Sequence, residues 1–132
     1  VSSPAGLTEE GLDALQRLKE RREVNTVIFR RTESPALELE LEGNLTHDEL
    51  VQALPSDQAR LIVHELAFAS KEGTRRHAQL LILWVPTAGG RQEESYRAGY
   101  TALKGFLAEV HVHLTARATD QLEYRRLVAL AD

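Results

Sequence analysis

Cysteine is absent from the chain, which excludes disulfides and thiolate nucleophiles and leaves any metal to histidine and carboxylates. That absence fits a reducing compartment. Long apolar runs are missing as well: the longest, Leu80 to Val85, falls far short of the roughly 20 residues a membrane-spanning helix needs. The opening residues Val1-Ser2-Ser3-Pro4-Ala5-Gly6 have neither the cationic start nor the apolar centre of a secretory signal. Positive charge is in deficit, with a formal net charge of -4. Nonspecific nucleic-acid binding, which depends on a surplus of Lys and Arg, is therefore not expected. The expected location is the cytoplasm.

What is present suits one globular domain. A chain of 132 residues buries about two-thirds of its unfolded surface around a single core, and two domains would each be too small. Hydrophobic residues at 42 % and charged residues at 27 % balance as in folded soluble domains rather than disordered ones. One domain over residues 1–132 is expected.

The pattern of elements follows from periodicity and punctuation. Thr8 with Glu9 and Glu10 can open a helix carrying Leu12, Leu15 and Leu18 inward to about Arg22. Val24 to Arg30 reads as a strand, broken by Ser34-Pro35 from the strictly alternating Leu37-Glu38-Leu39-Glu40-Leu41-Glu42. The leucines of that second strand should face a core and its glutamates water, the two strands forming a hairpin. Thr46-His47-Asp48-Glu49 has the spacing of a capping box for a short helix that Pro55 stops. Leu61 to Phe68 and Leu80 to Val85 read as antiparallel strands around a basic turn, Lys71 to Arg76. From Arg91 a helix places Tyr96, Tyr100, Leu103 and Leu107 on one face and Glu93, Glu94, Arg97, Thr101 and Lys104 on the other. Val110 to Leu114 reads as a last strand, and Thr119 as the cap of a final helix with Leu122, Leu127 and Leu130. The order is α-β-β-α-β-β-α-β-α.

No catalytic constellation emerges. His111 and His113 share a strand face, but no spacing supplies a third ligand, so a solvated face is the expected reading. Gly89-Gly90 precedes a helix, yet that helix opens on glutamates, which repel a phosphate, and no Gly-Lys-Ser/Thr follows. Ser56, Ser70 and Ser95 lack a Gly-x-Ser-x-Gly setting. Glu38, Glu40 and Glu42 read as the wet side of a hairpin rather than an acid/base array. A small hydrolase would need a pocket of convergent polar groups. Two basic groups stand out, Lys71, Arg75 and Arg76 on the turn and Arg125 and Arg126 on the last helix; solubility, an acidic protein or anionic lipid headgroups would each account for them.

Three segments together resemble a known family. "LPSDQARLIVHELAF" is similar to a Leu-Pro entry with a following Arg into a central strand, "LLILWVP" to a Trp-x-Pro strand end, and "VHVHLTARATDQL" to a last strand with Ala-Thr-Asp before the final helix. The spacing between them resembles that of the actin-depolymerising factor homology (ADF-H) family, most nearly its ADF/cofilin branch. The resemblance implies an α/β (α+β) architecture of the ADF-H, gelsolin-like type, a central mixed sheet flanked by helices on both faces. It implies a noncatalytic, monomeric actin-binding protein without cofactor or metal, acting on actin monomers and/or filaments to promote filament disassembly.

The resemblance also implies which residues do this. The helix from Arg91 would enter a cleft of actin through Arg91, Gln92, Glu93, Glu94, Ser95 and Arg97, helped by Ser3, Gly6 and Leu7 of the leader. Lys71, Arg75, Arg76, Arg125 and Arg126 would form a filament-side basic surface, with phosphoinositides as further ligands. Ser2 and Ser3 are the implied phosphorylation positions. Trp84 is expected to anchor the core beneath the start of that helix. Glu93 and Glu94 depart from the basic and Met positions of the family pattern, and this weakens the implied contact. "ELEGNLTHDELVQALP" resembles the glia maturation factor branch, which acts on the actin-related protein complex at filament branches; Trp84 resembles the ADF/cofilin side.

Overall fold

The computed structural model describes residues 9–18, 24–31, 37–55, 57–86, 93–106, 110 and 112–131. In chain order the elements are α1 (Glu9–Gln16), β1 (Thr26–Arg31), β2 (Leu37–Gly43), α2 (His47–Ala53), β3 (Arg60–Ala69), β4 (Arg75–Trp84), α3 (Glu93–Phe106), β5 (Val112–Ala116) and α4 (Tyr124–Ala131). A 3-10 turn, Thr119–Leu122, precedes α4. The helix–strand order is the one expected from the sequence, although Thr8 and residues 19–23, where α1 was expected to begin and end, lie outside the described residues.

The strands form one sheet in the order β2-β1-β3-β4-β5. β1 pairs antiparallel with β2 and β3, and β3 with β4, while β5 lies parallel to β4. The parallel pair follows from the connection: α3 carries the chain back along the sheet, so β5 starts opposite Leu80 and runs the same way as β4.

Both faces of this sheet are covered. Val27, Phe29, Leu61, Val63, Leu81 and Leu83 pack with Ala14, Leu15 and Leu18 of the first helical segment and Tyr96, Tyr100 and Leu103 of α3. Ile28, Ile62, Leu66, Phe68, Leu80 and Ile82 pack on the opposite face with Leu50 of α2, Leu122 of the 3-10 turn and Leu127 of α4. Two-sided burial is why Leu80 to Val85 is continuously apolar rather than alternating.

The edge strand β2 departs from the expected pattern. Ile28 pairs with Leu41 and Phe29 with Leu39, so Glu40 is an extra residue in a β-bulge. The bulge reverses the side-chain parity, and Leu39 joins the α1/α3 layer while Leu41 joins the α2/α4 layer. The glutamates are not simply a wet face either. The Arg17 guanidinium donates to both oxygens of Glu42, at 3.0 and 2.7 Å, and the Arg60 Nε–H donates to Glu40. Charged partners supplied by Arg17, just after α1, and by Arg60 of β3 won over solvent.

Local chemistry fixes the remaining boundaries. The Glu49 N–H donates to Thr46 Oγ1 at 3.2 Å and the Thr46 N–H to Glu49 Oε1 at 2.9 Å, a complete capping box for α2. Leu54, ahead of Pro55, is extended and ends the helix. At the β3–β4 turn, Ser70 N–H donates to Thr74 O at 2.8 Å, and Gly73 takes a φ of 83°, a region that favours glycine. Thr119 does not cap α4: it opens the 3-10 turn, where Gln121 Oε1 accepts from the backbone of Arg117 and Ala118. Leu130 is 57 % exposed rather than packed, and the last strand lies two residues later than expected, with Val110 buried before it.

Candidate functional site

The helix α3 is seated by its aromatic side. Tyr96 and Leu103 are buried and Tyr100 nearly so, at the i, i+4, i+7 spacing that makes one helical face. On the other side Arg97, Thr101 and Lys104 are exposed at the same spacing. The Lys104 ammonium sits 5.3 Å from the centre of the Tyr100 ring, a cation–π contact that bends this long side chain along the helix. Burial pushes the Tyr100 hydroxyl above its ordinary pKa, with Arg97 opposing. The result is a rigid rod that shows a polar, cationic strip.

Of the residues expected on this helix, Arg97 is exposed, and Glu93, Glu94 and Ser95 form its first turn. Arg91 and Gln92 lie outside the described residues, as do Ser2, Ser3, Gly6 and Leu7. Thr101 and Lys104 extend the same strip and were not among the expected contacts. Their spacing from Arg97 was the signal that could have found them.

Trp84 does not lie under α3. It is 3 % exposed and belongs to the layer of Ile82, Leu80 and Leu122, on the face covered by α2 and α4. Its Nε1–H donates to Pro55 O at 2.7 Å. Side-chain parity along β4 decides this, since Trp84 is two residues from Ile82 and four from Leu80. It therefore pins the chain leaving α2, and the seat of α3 is made by Leu81, Leu83 and Val85 instead.

The basic residues gather at the other end of the sheet. Lys71 is exposed on the β3–β4 turn, Arg75 and Arg76 are exposed at the start of β4, and Arg125 and Arg126 are exposed on the first turn of α4. The Tyr124 hydroxyl donates to Ala67 O at 3.2 Å, tying the start of α4 to the hairpin. Tyr124, Ala69, Gly73 and Arg75 line one shallow depression there, and Ser70, Lys71, Glu72 and Arg76 another. Tyr124 was missed in the sequence, where only its place beside Arg125 marks it. The Tyr124 bond ties the start of α4 to the hairpin, and Tyr124 and Arg75 line a common depression.

Other candidates resolve as follows. His113 is exposed, and partial desolvation, then Lys104, hold its imidazole below the usual range; His111 lies outside the described residues. Ser70 Oγ accepts from Thr74 N–H within the turn, while Ser56 lies outside the described residues. Among the described residues no group of three histidines or carboxylates could hold a metal ion. No helix among them is long and apolar enough to cross a membrane.

Comparisons with known proteins agree with this architecture. The family model described as cofilin/tropomyosin-type actin-binding protein matches residues 5–130. Actin-depolymerizing factor 10 of Oryza sativa subsp. japonica is 27 % identical over 127 residues, 92 % of this chain and 84 % of that protein. Actin-depolymerizing factor 3 of Arabidopsis thaliana is 32 % identical over 83 residues; the match takes in 62 % of this chain and spans 58 % of that protein. The crystal structure of a Streptomyces griseoflavus cofilin superposes with a TM-score of 0.84 at 18 % identity, covering 96 % of this chain and 98 % of that one. Plasmodium berghei actin depolymerization factor 2 follows with a TM-score of 0.82 at 16 % identity, covering 99 % and 97 %. With a mixed sheet covered by helices on both faces, a seated α3 and a match along nearly the whole sequence, the chain belongs to the ADF-H family of cofilin/tropomyosin-type actin-binding proteins.

Proposed function

We propose that this protein is a noncatalytic actin-binding protein of the ADF/cofilin type that binds actin monomers and/or filaments and promotes filament disassembly, acting as a monomer in the cytoplasm. The observation that carries the reading is α3: its inner face is locked by Tyr96, Tyr100 and Leu103, and its outer strip of Arg97, Thr101 and Lys104 is exposed. A rod held this way loses little conformational entropy on entering a groove. Arg91, Gln92, Glu93, Glu94 and Ser95 would extend the contact toward the helix start, helped by Ser3, Gly6 and Leu7 of the leader. Lys71, Arg75, Arg76, Arg125 and Arg126 form a second surface for a neighbouring filament subunit or for phosphoinositide headgroups.

Filament pelleting and monomer binding, each at tens of micromolar protein and low salt, test this. Binding to neither form refutes it. Glu93→Lys then asks whether the helix start is the contact: removing one like-charge clash is expected to tighten actin binding severalfold. If the leader joins that contact, a phosphate on Ser2 or Ser3 would repel Glu93 and Glu94, so Ser3→Glu is expected to weaken binding.

A second reading is a glia maturation factor-like binder of the actin-related protein branch complex, favoured by the capped α2 between Glu42-Gly43 and Leu54-Pro55. Branch dissociation watched by microscopy separates the two. Loss of branches with no monomer binding selects the second reading; tight monomer binding with intact branches selects the first.

A further inference from the structure

Between α2 and the sheet lies a polar network that the actin-binding reading does not use. His64 is 3 % exposed and projects from β3 on the face that carries Ile62 and Leu66 and packs against Leu50 of α2. The Asn25 amide is oriented by a fork with Leu45, donating to Leu45 O at 2.9 Å and accepting from Leu45 N–H at 2.8 Å. The Thr26 hydroxyl donates to Asn25 Oδ1 at 2.8 Å. Its one proton is then committed, so the 2.8 Å contact between Thr26 Oγ1 and His64 Nδ1 has the imidazole as donor. The Asn25 backbone carbonyl also meets the ring, and a second proton would put a full charge on an imidazole buried in the sheet face.

A second imidazole adds to this. His47, in the first turn of α2, donates from Nε2 to Leu122 O and meets the Tyr124 ring edge-on at 6.0 Å. His47 is close enough to His64 for its charge to disfavour a charge on the His64 ring. The groups around the pair are Asp48 on α2, Asp120 in the 3-10 turn, Glu123 just after it and Tyr124 on α4, all beside His47, and Asn25 and Thr26 at the start of β1 beside His64. Leu80 is opposite His64 on β4. Among the described residues no carboxylate pairs with the His64 ring.

The helix above is lightly held. α2 has seven residues, and Leu50 is its one fully buried side chain. Short helices with few buried contacts open at a lower free energy than core strands.

We propose that α2 is a proton-sensitive cover over His64: the helix closes on a neutral imidazole, and acid favours its opening by charging that imidazole once it is uncovered. Burial, then the neighbouring His47, lower the His64 pKa from 6.5 to about 4 in the closed form, and the Asn25 carbonyl only partly offsets this. The sign follows directly. Closure is at full strength above the uncovered value and weakens as pH falls toward the covered one. Between pH 7.5 and 5.5 the open population is expected to rise about tenfold.

Amide hydrogen exchange on the full chain tests this, after correction for the intrinsic pH dependence of exchange. Leu50, Val51, Gln52 and Ala53 are expected to lose about tenfold protection over that interval, while Leu81 and Leu83 in β4 keep theirs. His64→Leu should abolish the pH dependence at α2. Equal loss in the variant, parallel loss at β4, or no loss at α2 would each overturn the proposal. Should His64→Leu fail to fold, an NMR titration of the wild-type His64 ring decides instead. A midpoint in the ordinary imidazole range overturns the proposal, and a depressed midpoint that rises in His47→Gln, which keeps an N–H for Leu122 O, supports it.

Discussion

Replacing Trp84 with phenylalanine separates two roles that a tryptophan at the end of β4 could have. Its indole N–H donates to Pro55 O at 2.7 Å, and the ring is buried in the layer of α2 and α4. Phenylalanine keeps most of the apolar contact but removes the donor and about one-third of the ring system. A net hydrogen bond contributes about 1 kcal/mol, and the unfilled space adds about another 1 kcal/mol. The expected loss is roughly 2 kcal/mol, or a fall in Tm of about 8 °C for a domain of this size. Because this is the only tryptophan, unfolding is best followed by circular dichroism in urea. Actin binding by the folded variant should be unchanged, since α3 rests on the opposite face of the sheet. A variant of wild-type stability that no longer binds actin would refute the placement, returning Trp84 to a role under α3.

Other perturbations test other parts of the molecule. Thr46→Ala removes the acceptor of Glu49 N–H at the start of α2 and should cost about 1 kcal/mol in chemical denaturation. Gly73→Ala meets no atom within 4 Å of the added carbon, so its cost comes from the positive φ alone and should be about 1 kcal/mol. Arg17→Ala breaks the fork to Glu42, both partners being about one-third exposed; the loss should stay below about 1 kcal/mol and shrink in high salt. Charge reversal at Arg75 and Arg76 together should weaken filament pelleting more than monomer binding, and raising the salt should narrow the gap between variant and wild type. Equal loss for both forms of actin would argue that the hairpin is not a filament-side surface.

Some of this was plain in the residues and some was not, for physical reasons. The capping box at Thr46, the break at Pro55 and the 3.6-residue rhythm of Tyr96, Tyr100 and Leu103 are local signals, and each corresponds to an observed feature. Trp84 was assigned to the wrong layer because a strand covered on both sides is apolar at every position, and such a run says nothing about which residue points where. Glu40 was hidden for the opposite reason. The perfect alternation of Leu and Glu carries no mark of a bulge, which is set by Ile28 and Phe29 across the hairpin. His64 reads as one polar residue in an apolar strand, and only Asn25 and Thr26, nearly forty residues earlier, explain its burial. Thr119 resembled a cap, yet Gln121 reaches back to the same turn and tightens it into a 3-10 helix.

The one parallel strand pair among the described residues has a consequence for the order of assembly. β1–β2 and β3–β4 are hairpins between sequence neighbours, and β1–β3 joins them antiparallel. β5 has no such short route: it docks beside β4 only after α3 has spanned the gap between Trp84 and Val112. Closing that long excursion is entropically slow compared with a hairpin. The two hairpins are therefore expected to form first, with α3 and the last strand arriving as one late unit, and mutations in Val112–Ala116 should speed unfolding rather than slow folding.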